Sequence, residues 1–436
     1  MHFDEAVNYL LSLGHETLAI KLGLANIEQL LAALGSPERA YPAVQIAGTN
    51  GKGSTAAMLE SICRACDVRV GLYTSPHLVS ITERIRVNGQ DIRRADFARL
   101  TAQVRAVSLE LQKATGALPT FFEQVTAIAL MAFGEAGVSL AILETGLGGR
   151  LDATTAARAQ TLAITPIALD HQEYLGHTLR EIAAEKAAII REGTTVVVAP
   201  QAEDEALEVI LARCRERRVA PRFATRDIRV LGADAEGRLC ATFKTDSDIY
   251  EEVHLSLRGR HQASNASTAL ALAEVMREQN FPVTREGIIE GLEIAEHAGR
   301  LELLACEPSL LFDGAHNASG ARALRDYLDE FVHGPVTLVF GVMRDKELDE
   351  IAATLFPAAH ELILTRPTNA RAASLDTLEQ LAASHGVNSS PFFASTPAEA
   401  LRVAAERTPH GGIICVTGSL YLIGEVKSLI ARRELG

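Results

Sequence analysis

Short apolar runs recur along this chain, separated by longer stretches in which apolar residues return every three or four positions. AVQIA, RVGLYT, SLAILE, TLAITPIAL and TVVVAP fall within residues 43–200, and SLLFDG, VTLVFG, ELILT and GIICVTG within residues 309–418. Runs that are apolar along their whole length suit strands covered on both faces, which amphipathic helices on either side of a parallel sheet provide. The expected class is therefore α/β with largely parallel sheets.

The rhythm is interrupted twice. Residues 1–40 read as helical, with Leu10, Leu11, Leu18, Leu22, Ile27, Leu30, Leu31 and Leu34 as apolar positions, and residues 222–256 read as short strands with polar turns such as GADAEG, predicting an antiparallel insertion or edge hairpin. The strand pattern restarts after EHAGR, so the expected division is residues 1–297 and 298–436. Two such units joined by a short link leave a cleft, where ligands of α/β proteins usually lie.

Charge and cysteine usage narrow the function classes. With 42 Lys and Arg against 55 Asp and Glu, the net charge is −13, which argues against a sequence-independent nucleic-acid binder. No apolar run reaches membrane-spanning length, and the start MHFDEAVNYL lacks a basic segment leading into an apolar one, so a cytoplasmic protein without a membrane partner is expected. Cys63, Cys66, Cys214, Cys240, Cys306 and Cys415 are scattered, as free thiols of a reducing compartment would be. Cys63 and Cys66 form a CxxC, but no second pair or histidine stands at zinc spacing.

The segment GTNGKGST follows AVQIA and opens a helix expected from Ser54, with Met58, Leu59, Ile62, Ala65 and Cys66 on one face. It departs from the GxxxxGK[ST] phosphate loop, because Gly48 and Gly51 are too close and Gly53 intervenes between Lys52 and Ser54. Backbone amides of a glycine bend and of a helix N-terminus nevertheless converge on an anion, to which Lys52 would add a full charge. The plainer reading is a tight strand-to-helix turn with a surface lysine.

Other strand ends carry chemistry-bearing side chains. Glu144 closes SLAILE and Ser75 follows RVGLYT, a carboxylate and a hydroxyl suited to a magnesium ion that bridges phosphates, or simply to helix capping. Asp170 and His171 follow TLAITPIAL, and Thr178 with Glu181 has capping-box spacing for the next helix. On that helix Lys186 shares a stripe with Leu179, Ile182 and Ile190, so it is either a snorkelling chain or a desolvated amine of lowered pKa. ETGLGGRLDATT lacks the acidic residue that a dinucleotide site needs at the expected spacing.

Taken in order, GTNGKGST, YTSPHL, ETGLGGRLDATT, ALDHQEYLG, EKAAII, HQASNA, GRLE, FDGAHN and TGSLYLIGEV resemble the folylpolyglutamate synthase and dihydrofolate synthase family, within the Mur-ligase-like ATP-dependent amide-forming enzymes. The resemblance covers nearly the whole chain. It implies a P-loop NTPase-like Mur ligase central domain with a parallel sheet, then a smaller Rossmann-like α/β domain. It also implies an ATP-dependent ligase that joins L-glutamate to folates, and to dihydropteroate, through an acyl phosphate. A monofunctional folylpolyglutamate synthase is the alternative.

By the same resemblance Asn50, Gly51, Lys52, Gly53, Ser54, Asn265, Arg300 and Asp313 would contact ATP. Ser75, Glu144 and His171 would ligate two magnesium ions, and Lys186 would carry a CO2-derived carbamate, with room for a monovalent cation. Lys52, Lys186 and His171 would serve the chemistry. The pterin would meet Ile20, Lys21, Leu22, Thr120, Phe121, Phe122, Glu123, Leu151, Asp152 and Ala153, and glutamate would meet His316 and Ser419. Bare residue types favour core packing for the two phenylalanines and helix capping or turn formation for His316 and Ser419. Lys21 stands where relatives that use dihydropteroate often carry an acid. The implied partners are small molecules, and the implied state is a monomer.

Two rivals stand beside this reading. A peptidoglycan-type Mur ligase shares the loop but carries a sizeable domain ahead of it, for which Gly48 lies too near the start. A nucleotide-driven switch or motor would release phosphate without requiring folate or glutamate.

Overall fold

In the computed structural model, which describes residues 1–14, 23–385 and 390–432, every apolar run named above contains a strand. The first sheet comprises β1 (Ala43–Ala47), β2 (Val70–Tyr73), β3 (Ile85–Val87), β4 (Gln90–Asp91), β5 (Leu140–Glu144), β6 (Thr161–Ile164), β7 (Thr195–Val198) and β8 (Pro221–Phe223). Their order is β4-β3-β2-β5-β1-β6-β7-β8, parallel except for β3 and β4 at one edge.

Alternate residues of these strands enter two different cores. Val44, Ile46, Leu140 and Ile142 pack on one side, whereas Ala43, Ala47, Ala141 and Leu143 pack on the other. Both faces are dry, and this is why the strands lack polar alternation. One layer holds the amino-terminal helices Phe3–Ser12 and Ala25–Ala33 together with Arg94–Thr115, Phe121–Ala136, Leu179–Ala187 and Asp204–Glu216. The other holds helices Lys52–Ala65, His261–Glu278 and Arg285–Ile294 and a small antiparallel sheet.

That small sheet is β9 (Ile228–Ala233), β10 (Arg238–Lys244) and β11 (Ile249–Arg258), in the order β11-β10-β9. It meets the expectation of an antiparallel insertion, with its first turn within GADAEG. Its inward residues Leu239, Ala241, Phe243, Val253 and Leu255 join the same core as helix Lys52–Ala65. That helix differs from the sequence expectation. It begins at Lys52 rather than Ser54, and residues 54–63 are buried all round, because the sheet and two later helices enclose it.

The second sheet contains β12 (Glu302–Leu304), β13 (Ser309–Asp313), β14 (Val336–Phe340), β15 (Glu361–Thr365), β16 (Phe392–Ala394) and β17 (Ile413–Thr417). Its order is β12-β13-β17-β14-β15-β16, with only β12 antiparallel. Helices Ala318–Phe331, Leu348–Leu355 and Leu375–Ser384 cover one face, and Pro397–Arg407 and Leu420–Ala431 the other. Burying each large aliphatic side chain of these cores contributes about 1.5–3 kcal/mol against the chain entropy lost. The cysteines are free, four of them buried, with Cys306 exposed. No helix among the described residues is long and apolar enough to cross a membrane.

Candidate active site

The carboxyl ends of β1, β2, β5 and β6 in the first sheet, and of β13 and β17 in the second, face one another. This edge lacks further strand pairing, so loops and helix N-termini there leave free amides and room for side chains. Between β1 and helix Lys52–Ala65, the Thr49 and Asn50 amides both donate to the Pro166 carbonyl, at 3.0 and 3.1 Å, fixing the loop against the end of β6. Gly51 caps the helix with φ of +82°, in the left-handed region. A Cβ at Gly51 would lie 2.2 Å from Asn265 Oδ1, so only glycine lets the loop meet helix His261–Glu278.

Two lysines converge on this loop. Lys52 Nζ folds back onto the Gly48 and Thr49 carbonyls, at 3.1 Å each, and Lys186 Nζ donates to the same Gly48 carbonyl at 2.7 Å. Burial lowers the pKa of Lys52, against the pull of Glu144 and Asp170. Lys186 is 4% exposed. Burial, with Lys52 beside it, brings its pKa down to about 7. The snorkelling alternative therefore fails, since the amine ends in the interior. Its helix opens with the expected capping box of Thr178 and Glu181.

Glu144 ends β5, buried, and accepts the Ser75 backbone N–H at 3.2 Å; burial raises its pKa, opposed chiefly by Lys52. His171 sits in the left-handed region at φ of +51°. Burial drives its pKa down to about 3, so the imidazole is neutral, and its buried Nδ1 has no hydrogen-bond partner. The amide Nδ2 of Asn50 is likewise buried and unpartnered. An orphan donor and a neutral imidazole are what a phosphate and a cation would complete. No group of three or more His, Cys, Asp or Glu able to hold a metal occurs among the described residues. Magnesium draws most of its ligands from phosphate and water and asks for few side chains, and Glu144, Ser75 and His171 lie along the same cavity.

The second sheet completes the pocket. Asp313, at the end of β13, accepts the Leu301 and Ala315 amides at 3.0 Å each, and Arg300 donates to the Gly314 carbonyl at 3.4 Å. Asn317, the N-cap of helix Ala318–Phe331, also bridges to Asn50 at 3.1 Å and Asp170 at 3.3 Å. His316 Nδ1–H donates to the Gly314 carbonyl at 2.7 Å, and its Nε2 lies 3.5 Å from Asp170. Asn317, and not His316, thus performs the capping expected there.

All the residues predicted for ATP, for metal and for the modified lysine, with His316, line one cavity of about 290 Å³. An adjoining cavity of about 580 Å³ shares Ser75, His171 and His316 with it, and is lined by Thr120, Phe122, Glu123, Leu151, Asp152, Ala153 and Ser419. Phe121 does not line it. That ring is 3% exposed in the first core, and the Arg84 guanidinium lies over it at 5.5 Å. Successive helix positions point about 100° apart, so only Phe122 turns to the cavity, beside Tyr73 at 6.0 Å. Ile20, Lys21 and Leu22 lie outside the described residues.

Several of these side chains also hold local structure. Thr120 and Glu123 form the capping box of helix Phe121–Ala136. Ser419 caps helix Leu420–Ala431 through the Tyr421 amide at 3.1 Å. Asp152 accepts the Leu147 amide at 2.9 Å and the Thr154 amide and hydroxyl at 3.0 and 2.6 Å, anchoring the glycine-rich segment, while its burial raises its pKa.

Three further neighbours, Lys346, Asp170 and His297, stand beside the residues expected to bind ligand. Lys346 Nζ meets Asp170 at 2.5 Å and His171 Nε2 at 3.5 Å. Burial opposes the charge on Asp170, but His316, His171 and Lys346 outweigh it and hold that carboxyl well below its ordinary range. The third is His297, whose Nδ1 lies 3.2 Å from Ser54 Oγ. Lys346 stands beyond Arg344 and Asp345 after VTLVFG, and His297 follows no strand, so neither carries the strand-end signal of Asp170.

The Mur ligase middle domain matches residues 46–273, and the Mur ligase, glutamate ligase domain matches residues 299–420. The chain is 35% identical to the dihydrofolate synthase/folylpolyglutamate synthase of Bacillus subtilis, covering 95% of this chain and 96% of that one. It is 37% identical to the probable bifunctional folylpolyglutamate synthase/dihydropteroate synthase of Halobacterium salinarum, covering 98% of this chain and 52% of that one, so it spans about half that relative's length. The Mycobacterium tuberculosis folylpolyglutamate synthase complexed with ADP superposes with a TM-score of 0.91 at 31% identity, covering 99% of this chain and 98% of that one.

Proposed function

The chain belongs to the dihydrofolate synthase/folylpolyglutamate synthase family of Mur ligases, and from that membership we propose that it joins L-glutamate to a folate, and to dihydropteroate, at the expense of ATP. The observation that carries this reading is the junction of the two cavities. A phosphate-type pocket rich in lysine and backbone amides opens at Ser75, His171 and His316 into a larger, partly aromatic pocket able to admit an acid. A nucleotide's terminal phosphate and an acceptor's carboxylate meet at that opening.

The chemistry demands such a meeting, because an ionised carboxylate offers an amine no leaving group. Transfer of the γ-phosphoryl from ATP to the carboxylate makes an acyl phosphate and releases ADP; the neutral glutamate amine then attacks the acyl carbon, and phosphate and a proton depart as the amide forms. Negative charge crowds between two anions during transfer, so Lys52 leaves the Gly48 and Thr49 carbonyls to meet the phosphates, joined by the Asn50 amide and the loop N–H groups. Arg300 and Asp313 close on the nucleotide from the second sheet, and His316 and Ser419 receive glutamate beside the acceptor. Residues 1–297 thus supply the phosphate loop and acceptor site, and residues 298–436 the closing wall. Ser75, Glu144 and His171 would hold magnesium, which would supply positive charge to offset that of the phosphates.

Lys186 carries a carbamate in this scheme. Attack on CO2 needs the free amine, and lowering a lysine from 10.5 to about 7 raises its neutral fraction at neutral pH by roughly a thousandfold. The carbamate nitrogen keeps one hydrogen, so its bond to Gly48 survives. The test is ADP release measured with glutamate and either tetrahydrofolate or dihydropteroate. Release that requires both glutamate and an acceptor, with oxygen-18 passing from the acceptor carboxylate into phosphate, is expected. Release indifferent to both would replace the ligase reading by a nucleotide-driven switch.

A further inference from the structure

We propose that His297 is a positioning residue for nucleotide binding, acting through the hydroxyl of Ser54. The inference rests on the ligase reading for its setting but on local geometry for its substance. Ser54 lies in the first turn of helix Lys52–Ala65, 5% exposed, and among the hydrogen bonds of its hydroxyl is the one to His297 Nδ1 at 3.2 Å. A phosphate-loop hydroxyl is useful only if it points at the phosphates and their cation. A serine rotor is otherwise free to turn, and a fixed partner removes that freedom.

The imidazole is admitted by the anomalous glycine of the loop. A Cβ at Gly53 would lie 2.7 Å from His297 Cε1, 3.0 Å from its Nε2 and 3.4 Å from Glu144 Oε1. Any other residue between Lys52 and Ser54 would push the ring off the loop. The departure from the common phosphate-loop spacing therefore has a physical counterpart, a slot for this histidine.

His297 reaches the slot from the chain segment between helix Arg285–Ile294 and β12, three residues before Arg300. His297 and Arg300 line both the phosphate cavity and a groove of about 1310 Å³ along β9–β11, and so form the wall between the two. The ring is partly buried, and its desolvation, helped by Arg300 and Arg86, brings its pKa to about 3, so the imidazole is neutral, and in the tautomer with its proton on Nε2 the Nδ1 accepts the Ser54 hydroxyl hydrogen. With that hydrogen committed, the oxygen lone pairs remain for what the cavity holds. The connection between the two sheets is thereby tied to the phosphate loop by a side chain.

A double-mutant cycle tests this. ADP affinity in the presence of magnesium is measured calorimetrically for the unaltered chain, Ser54→Ala, His297→Phe and the double variant. Each single change is expected to weaken binding about fivefold, and the double variant to bind no more weakly than the worse single. His297→Gln, which keeps a hydrogen-bonding group at the slot, should recover most of the loss. In turnover His297→Phe should raise KM for ATP with kcat little changed. Losses that multiply in the double variant, or a His297→Phe protein that binds ADP normally, overturn the inference. Should His297→Phe not fold, His297→Ala enters the same cycle. ADP binding needs no acceptor, so failure of the cycle in an active ligase defeats only this inference, while acceptor-independent ATP use defeats only the ligase reading.

Discussion

Gly424 lies inside helix Leu420–Ala431, where replacing glycine by alanine ordinarily stabilises by about 1 kcal/mol. Here the sign should reverse. A Cβ at Gly424 would stand 2.0 Å from the Leu78 carbonyl oxygen and 2.8 Å from its carbon, across the seam between the two sheets. Leu78 cannot retreat freely, because Glu83 accepts the Leu78, Val79 and Ser80 amides at 2.7, 2.9 and 2.6 Å. Overpacking against fixed backbone costs about 1–3 kcal/mol, so after the helix gain of about 1 kcal/mol Gly424→Ala should lose up to about 2 kcal/mol net if the seam stays closed. If the seam opens instead, stability is spared, but Arg300, Asp313 and His316 withdraw from the phosphate loop and ADP affinity falls. Urea denaturation and calorimetric ADP titration of the same variant distinguish the two responses. A protein about 1 kcal/mol more stable with unchanged ADP affinity would refute the close-packed seam.

Lys52→Ala and Glu144→Ala should each abolish ATP-dependent ligation with the circular dichroism spectrum intact, and near-normal ADP release from either would remove that residue from the mechanism. Asp152→Ala should impair dihydropteroate use more than folate extension, because it frees the segment lining the acceptor cavity; equal loss with both acceptors would contradict this. Burial holds Lys186 at about 7 when folded against 10.5 ordinarily, so its charged form penalises the fold fully below about 7, and the penalty fades as pH rises toward 10.5. Urea midpoints should accordingly rise over that window relative to Lys186→Met, and a pH-independent difference between the two proteins would exclude a shifted amine. Removing magnesium should weaken ADP binding at least tenfold, read by titration with and without chelator; equal affinities would detach Glu144 and His171 from a metal role.

The central strands were legible because both their faces are dry, so five or so consecutive apolar residues admit little else. The edges were not. β4, β8, β12 and β16 are two or three residues long and none is fully buried, leaving no periodicity to read. Local periodicity shows only one apolar face on helix Lys52–Ala65, because its outer cover comes from residues 261–294, beyond the reach of any local pattern. Site residues at strand ends announced themselves by breaking an apolar run with a polar group, as Glu144, Asp170 and Asp313 do. Lys346 stands behind Arg344 and Asp345 and does not itself break its run, and His297 acquires its meaning only from a contact with Ser54, 243 positions away. Phe121 and Phe122 show the finer limit. Composition cannot say which of two adjacent rings faces the core.

The charges around the phosphate cavity explain why an acidic chain can bind a polyanion there, and why it needs help. Lys52, Lys186 and Arg300 line that cavity together with Glu144, Asp170 and Asp313, three cations against three carboxylates. Formal balance lets these groups be buried together, since each charge has an opposite one to offset its desolvation. It also leaves nothing over for a nucleotide's phosphates. Lys186 tips the balance further, because a lysine at about 7 is only half charged at neutral pH and a carbamate there is negative. Loss of that cation also relieves Lys52, the like charge that shares the Gly48 carbonyl with it. In the proposed reaction the site would thus trade a fixed positive charge for a demand that a divalent cation enter with the nucleotide, and Lys52 would be left as the mobile charge that follows the phosphoryl group.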